Sequence, residues 1–257
     1  RYTLGFTAEH LNLQGRHTHL SAYATPSWQY RRVGTVVRLA VPVRWEMFTD
    51  CGIHHLDASP SLGINVKTGR RGELTASSGY NMTSGGMADY AVASYMRDYR
   101  TQVITHGLVP RQGTFYATAG YDYKRPVTEM FMSFSATYNH SHGNLMTDMA
   151  ITDGQYLLRS VAHHWHGQAL QARALVSKGF FAIRLKTKLD LNYTFGTGQQ
   201  LSGGVVTDYW SHVFSASPEL VLTPGFGMFT YRATFSWNKM NTDGMGGNSL
   251  FDWKQSL

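Results

Sequence analysis

The chain has 257 residues, 42% of them apolar, a net charge of +7 and a single cysteine, Cys51. One cysteine excludes a disulfide framework within the chain and a zinc site built from several cysteines. The basic residues recur in short turns rather than in one run or stripe, which argues against a nucleic-acid partner. No run approaches 18 consecutive apolar residues, so no transmembrane helix is expected, although a membrane-spanning strand needs only alternate apolar residues.

Alternation of apolar and polar residues predicts strands along most of the chain. In the segment 35–47 one face is wholly apolar, and it is formed by Val37, Leu39, Val41, Val43, Trp45 and Met47. The opposite face carries Arg38, Arg44 and Glu46. The face without charges is expected to contact lipid. The face with several charges is expected to line a wet lumen.

Eleven further segments give a similar pattern, so about twelve strands are predicted. The approximate ranges of all twelve predicted strands are 2–13, 18–30, 35–48, 54–67, 73–84, 113–123, 129–141, 155–177, 180–196, 208–222 and 226–239, with the last strand beginning near 250. A typical globular strand has about five or six residues. These are about twice as long, and a tilted strand needs roughly 9 to 11 residues to cross a bilayer.

The predicted connections alternate between two kinds. Short turns are predicted at "RRVG", "TGRRG", "KRPVT", "SKG" and "TPG", and longer polar segments at 48–55, 85–112, 142–154, 197–207 and 240–249. Outer-membrane barrels have short periplasmic turns and long extracellular loops. We therefore expect the basic turns at 31–34, 67–72 and 124–128 in the periplasm, and the segments 85–112 and 142–154 outside the cell.

Aromatic residues gather near both ends of the predicted strands, as in the two girdles of a membrane barrel. A soluble β-sandwich with core aromatics is the alternative. The pattern as a whole favours an all-β fold, a transmembrane antiparallel β-barrel.

Four stretches resemble a known family: "SPSLGINVKTGRRGELTASSGY", "SYMRDYRT", "GLVPRQGTFYATAGYDYKRP" and "ARALVSKGF". They resemble the barrel of TonB-dependent outer-membrane receptors, of the type with an N-terminal carboxypeptidase-like regulatory domain. The resemblance implies a barrel of about 22 strands around a plug, and a role in nutrient uptake. This sequence has no recognisable plug, TonB box or regulatory domain. Residues 1–257 are therefore expected to be one outer-membrane β-barrel domain, a fragment of a longer protein.

Motifs for metal binding or catalysis are weak. The run "HHWH" would put His164 and His166 on one face of a strand and His163 on the other, and a solvated cluster is favoured over a metal site. His54 and His55 fall in a predicted loop. Carboxylates are scattered, and there is no phosphate-binding loop and no nucleophile motif. Neither an enzyme nor a cofactor is expected.

The segment 85–112 holds the candidate binding residues, which are Tyr90, Tyr95, Arg97, Tyr99 and Arg100. Tyrosine and arginine are frequent on ligand and partner surfaces. A loop that packs on its neighbours or caps the lumen is the alternative.

Three functions remain open on these grounds. The first is part of a TonB-dependent receptor that imports a nutrient across the bacterial outer membrane. The second is a structural or scaffold barrel subunit of an outer-membrane complex, and the third is a soluble β-rich binding module. The expected partners are outer-membrane lipid, a surface lipoprotein or other outer-membrane subunits, and TonB through a plug domain outside this sequence.

Overall fold

The computed structural model describes residues 2–12, 16–49, 52–85, 92–106, 108–152, 154–244 and 246–256. They form sixteen strands and two short 3-10 turns, at Pro126–Thr128 and Phe181–Ile183, with no α-helix in these ranges. The strands are β1 (Tyr2–Asn12), β2 (Arg16–Arg32), β3 (Thr35–Ala40), β4 (Val43–Phe48), β5 (Ile53–Ala58), β6 (Ser61–Thr68), β7 (Gly72–Ser84), β8 (Val92–Asp98), β9 (Thr101–His106), β10 (Arg111–Arg125), β11 (Met130–Thr152), β12 (Gln155–Phe180), β13 (Leu185–Ser202), β14 (Val205–Leu222), β15 (Phe229–Thr242) and β16 (Gly246–Ser256). Within the described ranges, no helix has the length and hydropathy needed to cross a membrane.

The strands form one antiparallel meander, in which each long strand pairs with the next along the chain. There are two exceptions in the described residues: the hairpin β8–β9 lies beside the main path, with β9 parallel to β12, and β11 pairs in parallel with β13 at Asp148 and Met149. The sheet is not closed into a barrel. Its edge strands, β1 and β16, form no ladder with each other in the described part of the chain.

Proline accounts for part of the difference between twelve predicted strands and sixteen observed ones. Pro42 separates β3 from β4, and Pro60 separates β5 from β6, because proline has no N–H to donate to a ladder. The register does not shift at Pro42: Ser27 faces Ala40, and three residues earlier Ala24 faces Val43. The segment 35–48 therefore behaves as one strand, as predicted, and the hairpin β8–β9 supplies the two remaining strands.

Three segments predicted as long loops, at 142–154, 197–207 and 240–249, are instead the ends of paired strands. The prediction was wrong because polar residues at these ends continue the ladder, while glycines with positive φ make tight turns at Gly154, Gly203, Gly204 and Gly244.

The predicted turn "SKG", at 177–179, is also wrong. It lies inside β12, and the chain turns at Phe181–Ile183. Arg184 closes this turn in the left-handed conformation, with φ of 49°. The next strand therefore begins at Leu185 rather than at residue 180.

The two ends of the sheet differ, as the predicted connections required. At one end, called here the turn end, lie the short turns after β2, β6, β10, β12 and β14. The hairpin β8–β9 and the long extension of β11 and β12 belong to the opposite end, called here the loop end. This arrangement matches the predicted grouping. The basic turns lie at the turn end, and the described parts of 85–112 and 142–154 lie at the loop end.

Alternation divides the sheet into two faces. Val37 lies between Tyr30 of β2 and Ile64 of β6, so the apolar sets of neighbouring strands coincide. The same face continues across the sheet to Trp253 in β16 and is called here the apolar face. Many large side chains on it are more than a third exposed, including Leu39, Leu62, Ile64, Leu74, Phe115, Phe134, Leu170, Leu189, Phe214, Leu220 and Trp253. The opposite, polar face carries most of the charges.

A hydrophobic core is almost absent. Among the described residues, the buried apolar side chains are Phe48, Met146, Leu201 and Ala233. A sheet with one apolar face normally buries that face against a second layer of secondary structure. No such layer exists in the described part of this chain, so the apolar face lies open.

Two glycines of the polar face allow a matched test of packing. A Cβ at Gly79 would lie 2.8 Å from the backbone oxygen of Pro60, whereas a Cβ at Gly63 meets nothing within 4 Å. We expect Gly79→Ala to lower the free energy of unfolding by about 1 to 3 kcal/mol, because the backbone at the proline break must move. Gly63→Ala should be neutral or slightly stabilising. Denaturant midpoints of the two variants in detergent measure the difference, and equal midpoints would contradict it.

Candidate functional site

A buried polar cluster lies on the polar face near the loop end. Its centre is formed by Glu46 of β4 with His55 and Asp57 of β5. The β4–β5 ladder brings them together, because Glu46 pairs directly with His55, and Asp57 is two residues further along the same face. Glu46 is 2% exposed and Asp57 4% exposed. Glu46 was predicted to face a wet lumen with Arg38 and Arg44; it lies on the same polar face as they do, but its side chain is buried in the cluster.

Short contacts link the three side chains through the His55 ring. His55 Nε2 lies 2.9 Å from Glu46 Oε2 and 3.6 Å from Asp57 Oδ2. The remaining oxygen of each carboxylate meets an arginine. Arg44 Nη2 lies 2.8 Å from Glu46 Oε1, and Arg111 Nη2 lies 2.7 Å from Asp57 Oδ1. Two buried negative charges are therefore each balanced by a guanidinium group.

Side chains from the neighbouring strands cover the cluster. The hydroxyl group of Ser84, at the end of β7, donates to Glu46 Oε2. Arg111, at the start of β10, is held by its backbone N–H, which donates to Asn144 Oδ1 at 2.7 Å. Next to these residues a cavity of about 270 Å³ is lined by Ser84, Arg111, Asn144 and Trp165, among others. The cluster thus adjoins a polar cavity at the loop end.

Aromatic stacking borders the cluster on its other side. The ring of His19, in β2, stacks on Phe48 with centroids 4.4 Å apart, and Phe48 stacks in turn on His55 at 6.0 Å. His19 Nε2 lies 3.6 Å from Glu46 Oε1. The Glu46 carboxylate is therefore approached by imidazole groups from two strands.

Sequence reasoning missed this cluster. His54 and His55 were predicted to lie in the loop 48–55, but β5 begins at Ile53 and both are strand residues. As consecutive strand residues they point to opposite faces: His54 pairs with Met47 and is exposed, whereas His55 pairs with Glu46 in the cluster. The signal that could have revealed the site is the hairpin register, since a two-residue turn would set Glu46 opposite His55.

The predicted binding residues lie on the hairpin β8–β9, except Tyr90, which lies outside the described residues. Within 85–112, the described residues 92–106 form a hairpin rather than an irregular loop, and β9 pairs with the β12 extension from Tyr156 to Arg159. The tip is tied to β12, because the Tyr156 N–H donates to the Arg100 backbone oxygen at 2.7 Å, but its side chains are exposed. Its exposed side chains include Tyr95, Arg97, Tyr99 and Arg100, and Tyr99 is 80% exposed. The hairpin thus packs on a neighbour and still presents these residues to solvent.

Local contacts order the tip. The guanidinium group of Arg100 lies 5.2 Å from the centre of the Tyr99 ring, a cation–π contact. The backbone N–H of Arg100 donates to Asp98 Oδ1 at 2.8 Å. This hydrogen bond, together with one from the Thr101 side chain, lowers the pKa of Asp98. The tip therefore carries an ionised carboxylate beside two arginines.

The histidine run at 163–166 lies in β12, and the pairing with β11 shifts register inside it, because Gly143 faces Trp165 whereas Leu145 faces Ala162. The regular alternation predicted for His163, His164 and His166 is interrupted there. His164 and His166 are exposed, and His166 pairs with His142 of β11. The His142 ring in turn contacts the Tyr80 hydroxyl group at 3.3 Å. Among the described residues, the set with metal-ligand spacing is instead Glu46, His55 and Asp57.

Comparison of the chain with protein-family models, with curated proteins and with solved structures finds no match.

Proposed function

We propose that this chain is part of the wall of a bacterial outer-membrane β-barrel, in a TonB-dependent receptor that takes up a nutrient. The observation that carries the proposal is an apolar sheet face that stays exposed while almost no hydrophobic core exists. Exposed apolar patches of this extent mark contact with a membrane or a partner. Lipid is the covering that fits a face extending over all the long strands.

The polar face supports the same proposal. Its charges meet partners across neighbouring strands, as in the pairs Arg173–Asp190 and Arg232–Glu219, with N–O distances of 2.6 and 3.2 Å. Residues that line the inside of a barrel alternate with the lipid-facing ones and are polar. A water-filled or plugged interior suits these charges, whereas the core of a soluble sandwich would not.

The open edges of the sheet determine what else the barrel needs. An unpaired strand edge is not tolerated in lipid, because each free N–H and C=O group there lacks a hydrogen-bond partner. We infer that additional strands pair with β1 and β16. The resemblance in the sequence to TonB-dependent receptors implies about 22 strands in the closed barrel.

A scaffold subunit of an outer-membrane complex would use the same wall. The full-length gene product separates the two roles: a plug with a TonB box, and binding of that product to the periplasmic domain of TonB, support transport. A closed barrel that lacks a plug and does not bind TonB supports the scaffold role.

Membrane location is the first expected result. In fractionated cells the protein should sediment with outer membranes and should resist extraction by salt or carbonate, because its apolar face is covered by lipid. Detergent should release it. Recovery of a soluble, monodisperse monomer after lysis without detergent would overturn the membrane proposal and favour the soluble binding module.

A further inference from the structure

We propose that Glu46, His55 and Asp57 form a binding site for one divalent transition-metal ion, with Zn²⁺ as the reference ion. The three side chains offer one imidazole nitrogen and two carboxylate oxygens, all within 4.8 Å of one another. A nitrogen–oxygen donor set of this kind suits zinc and its neighbours in the first transition row. The proposal does not depend on the membrane role of the sheet.

The spacing of the donor atoms fits a small ion. With Zn–N and Zn–O bonds of about 2.0 to 2.1 Å, tetrahedral ligand atoms lie about 3.3 Å apart. His55 Nε2 is 2.9 Å from Glu46 Oε2 and 3.6 Å from Asp57 Oδ2, so the two distances bracket that value. Small rotations of the side chains would equalise them.

The arginines orient the carboxylates for this role. Each guanidinium group binds one oxygen, Oε1 of Glu46 or Oδ1 of Asp57. The other oxygen of each carboxylate is turned toward the His55 ring. Hydrogen bonds to the second oxygen of a ligating carboxylate are a regular feature of metal sites. The side chains of Arg44 and Arg111 are 51% and 36% exposed, so part of their charge stays in contact with solvent.

The His55 ring is buried and directs Nε2 toward both carboxylates. Its side chain is only 7% exposed, yet Nδ1 has no hydrogen-bond partner among the described residues. A buried imidazole normally has both nitrogens satisfied, and an unpaired buried polar atom costs free energy. A metal ion on Nε2 would leave Nδ1 as the protonated nitrogen, on the side of the ring away from the carboxylates, so the ion itself would not satisfy Nδ1. Ser84 and Arg111, which contact Glu46 and Asp57, also line the adjoining cavity.

The test measures zinc binding to the detergent-purified protein after chelator treatment, by calorimetry in competition with a weak chelator. Wild type should bind one Zn²⁺ that is lost in His55→Ala and in Glu46→Gln, with affinity reduced by more than about tenfold. Co²⁺ should give the visible absorption of a low-coordinate nitrogen–oxygen site in wild type but not in His55→Ala or Glu46→Gln. Circular dichroism and heat-dependent gel mobility establish that each variant is folded.

His54→Ala is the matched control, because His54 is the next residue, is exposed and lies on the opposite face. It should leave the strongest zinc site unchanged, which separates this site from weak binding by the other histidines of the chain. If wild type binds no zinc, or if His55→Ala and His54→Ala bind it equally, the cluster is an ion-pair network only and the proposal is overturned. The wild-type measurement decides this even if a site variant fails to fold.

Discussion

Val41→Arg is expected to impair insertion and folding severely, by roughly 2 to 4 kcal/mol, the cost of an arginine on the lipid face near mid-bilayer. Val41 lies on the apolar face in the middle of the strand that runs from β3 into β4. Its backbone N–H donates to the Pro26 oxygen at 3.0 Å, a bond that any side chain would leave intact. The expected loss of folding free energy therefore comes from the new side chain and its surroundings, not from a lost backbone hydrogen bond. Refolding into lipid vesicles, followed by denaturant titration, measures it.

Ala40→Arg supplies the control for this substitution. Ala40 precedes Val41, points to the polar face and has serines as its cross-strand neighbours, Ser27 and Ser61. An arginine there should be tolerated, and so should Arg38→Val on the same face. A soluble protein with an exposed apolar face would tolerate Val41→Arg as well, so equal behaviour of the Val41 and Ala40 variants would contradict a lipid-facing role.

The all-β antiparallel sheet could be predicted from the sequence because a period of two is a strong signal over long strands, whereas the predicted closure into a barrel is not seen in the described residues. The segment 35–48 was predicted as one strand, and its faces are those observed, even across Pro42. The ends of strands were predicted less well. At 197–207 the polar residues pair as regularly as the apolar ones, and a ladder needs only backbone groups, so side-chain pattern does not mark where it stops.

The buried cluster could not be predicted in the same way, because it depends on contacts between distant strands. Alternation assigns Glu46 to the polar face, but burial of that face at this point requires Ser84 and Arg111 from β7 and β10. Their approach follows from the meander and from the chain path at the Pro60 break. Alternation in the sequence therefore assigns a residue to the polar face, but it does not show whether that part of the face is exposed or buried.

Labelling of engineered cysteines should distinguish the two ends of the sheet. We expect Tyr99→Cys, in a Cys51→Ser background, to react with a membrane-impermeant thiol reagent on intact cells, because Tyr99 is 80% exposed at the tip of β8–β9. Arg70→Cys should react only after the outer membrane is permeabilised. Arg70 lies in the turn between β6 and β7, at the opposite end of the sheet, and is also exposed.

The reason for the expected sidedness is the length of the connections. The turns after β2 and β6 are tight, whereas the other end carries β8–β9 and the extension of β11 and β12. Outer-membrane barrels keep short turns in the periplasm and long loops outside. Labelling of Arg70→Cys alone on intact cells would mean the reverse orientation, and the Tyr95, Tyr99 and Arg100 side chains would then face the periplasm. Labelling of both variants without permeabilisation would show that neither end is shielded by a membrane. That result would contradict both the proposed barrel wall and its proposed orientation.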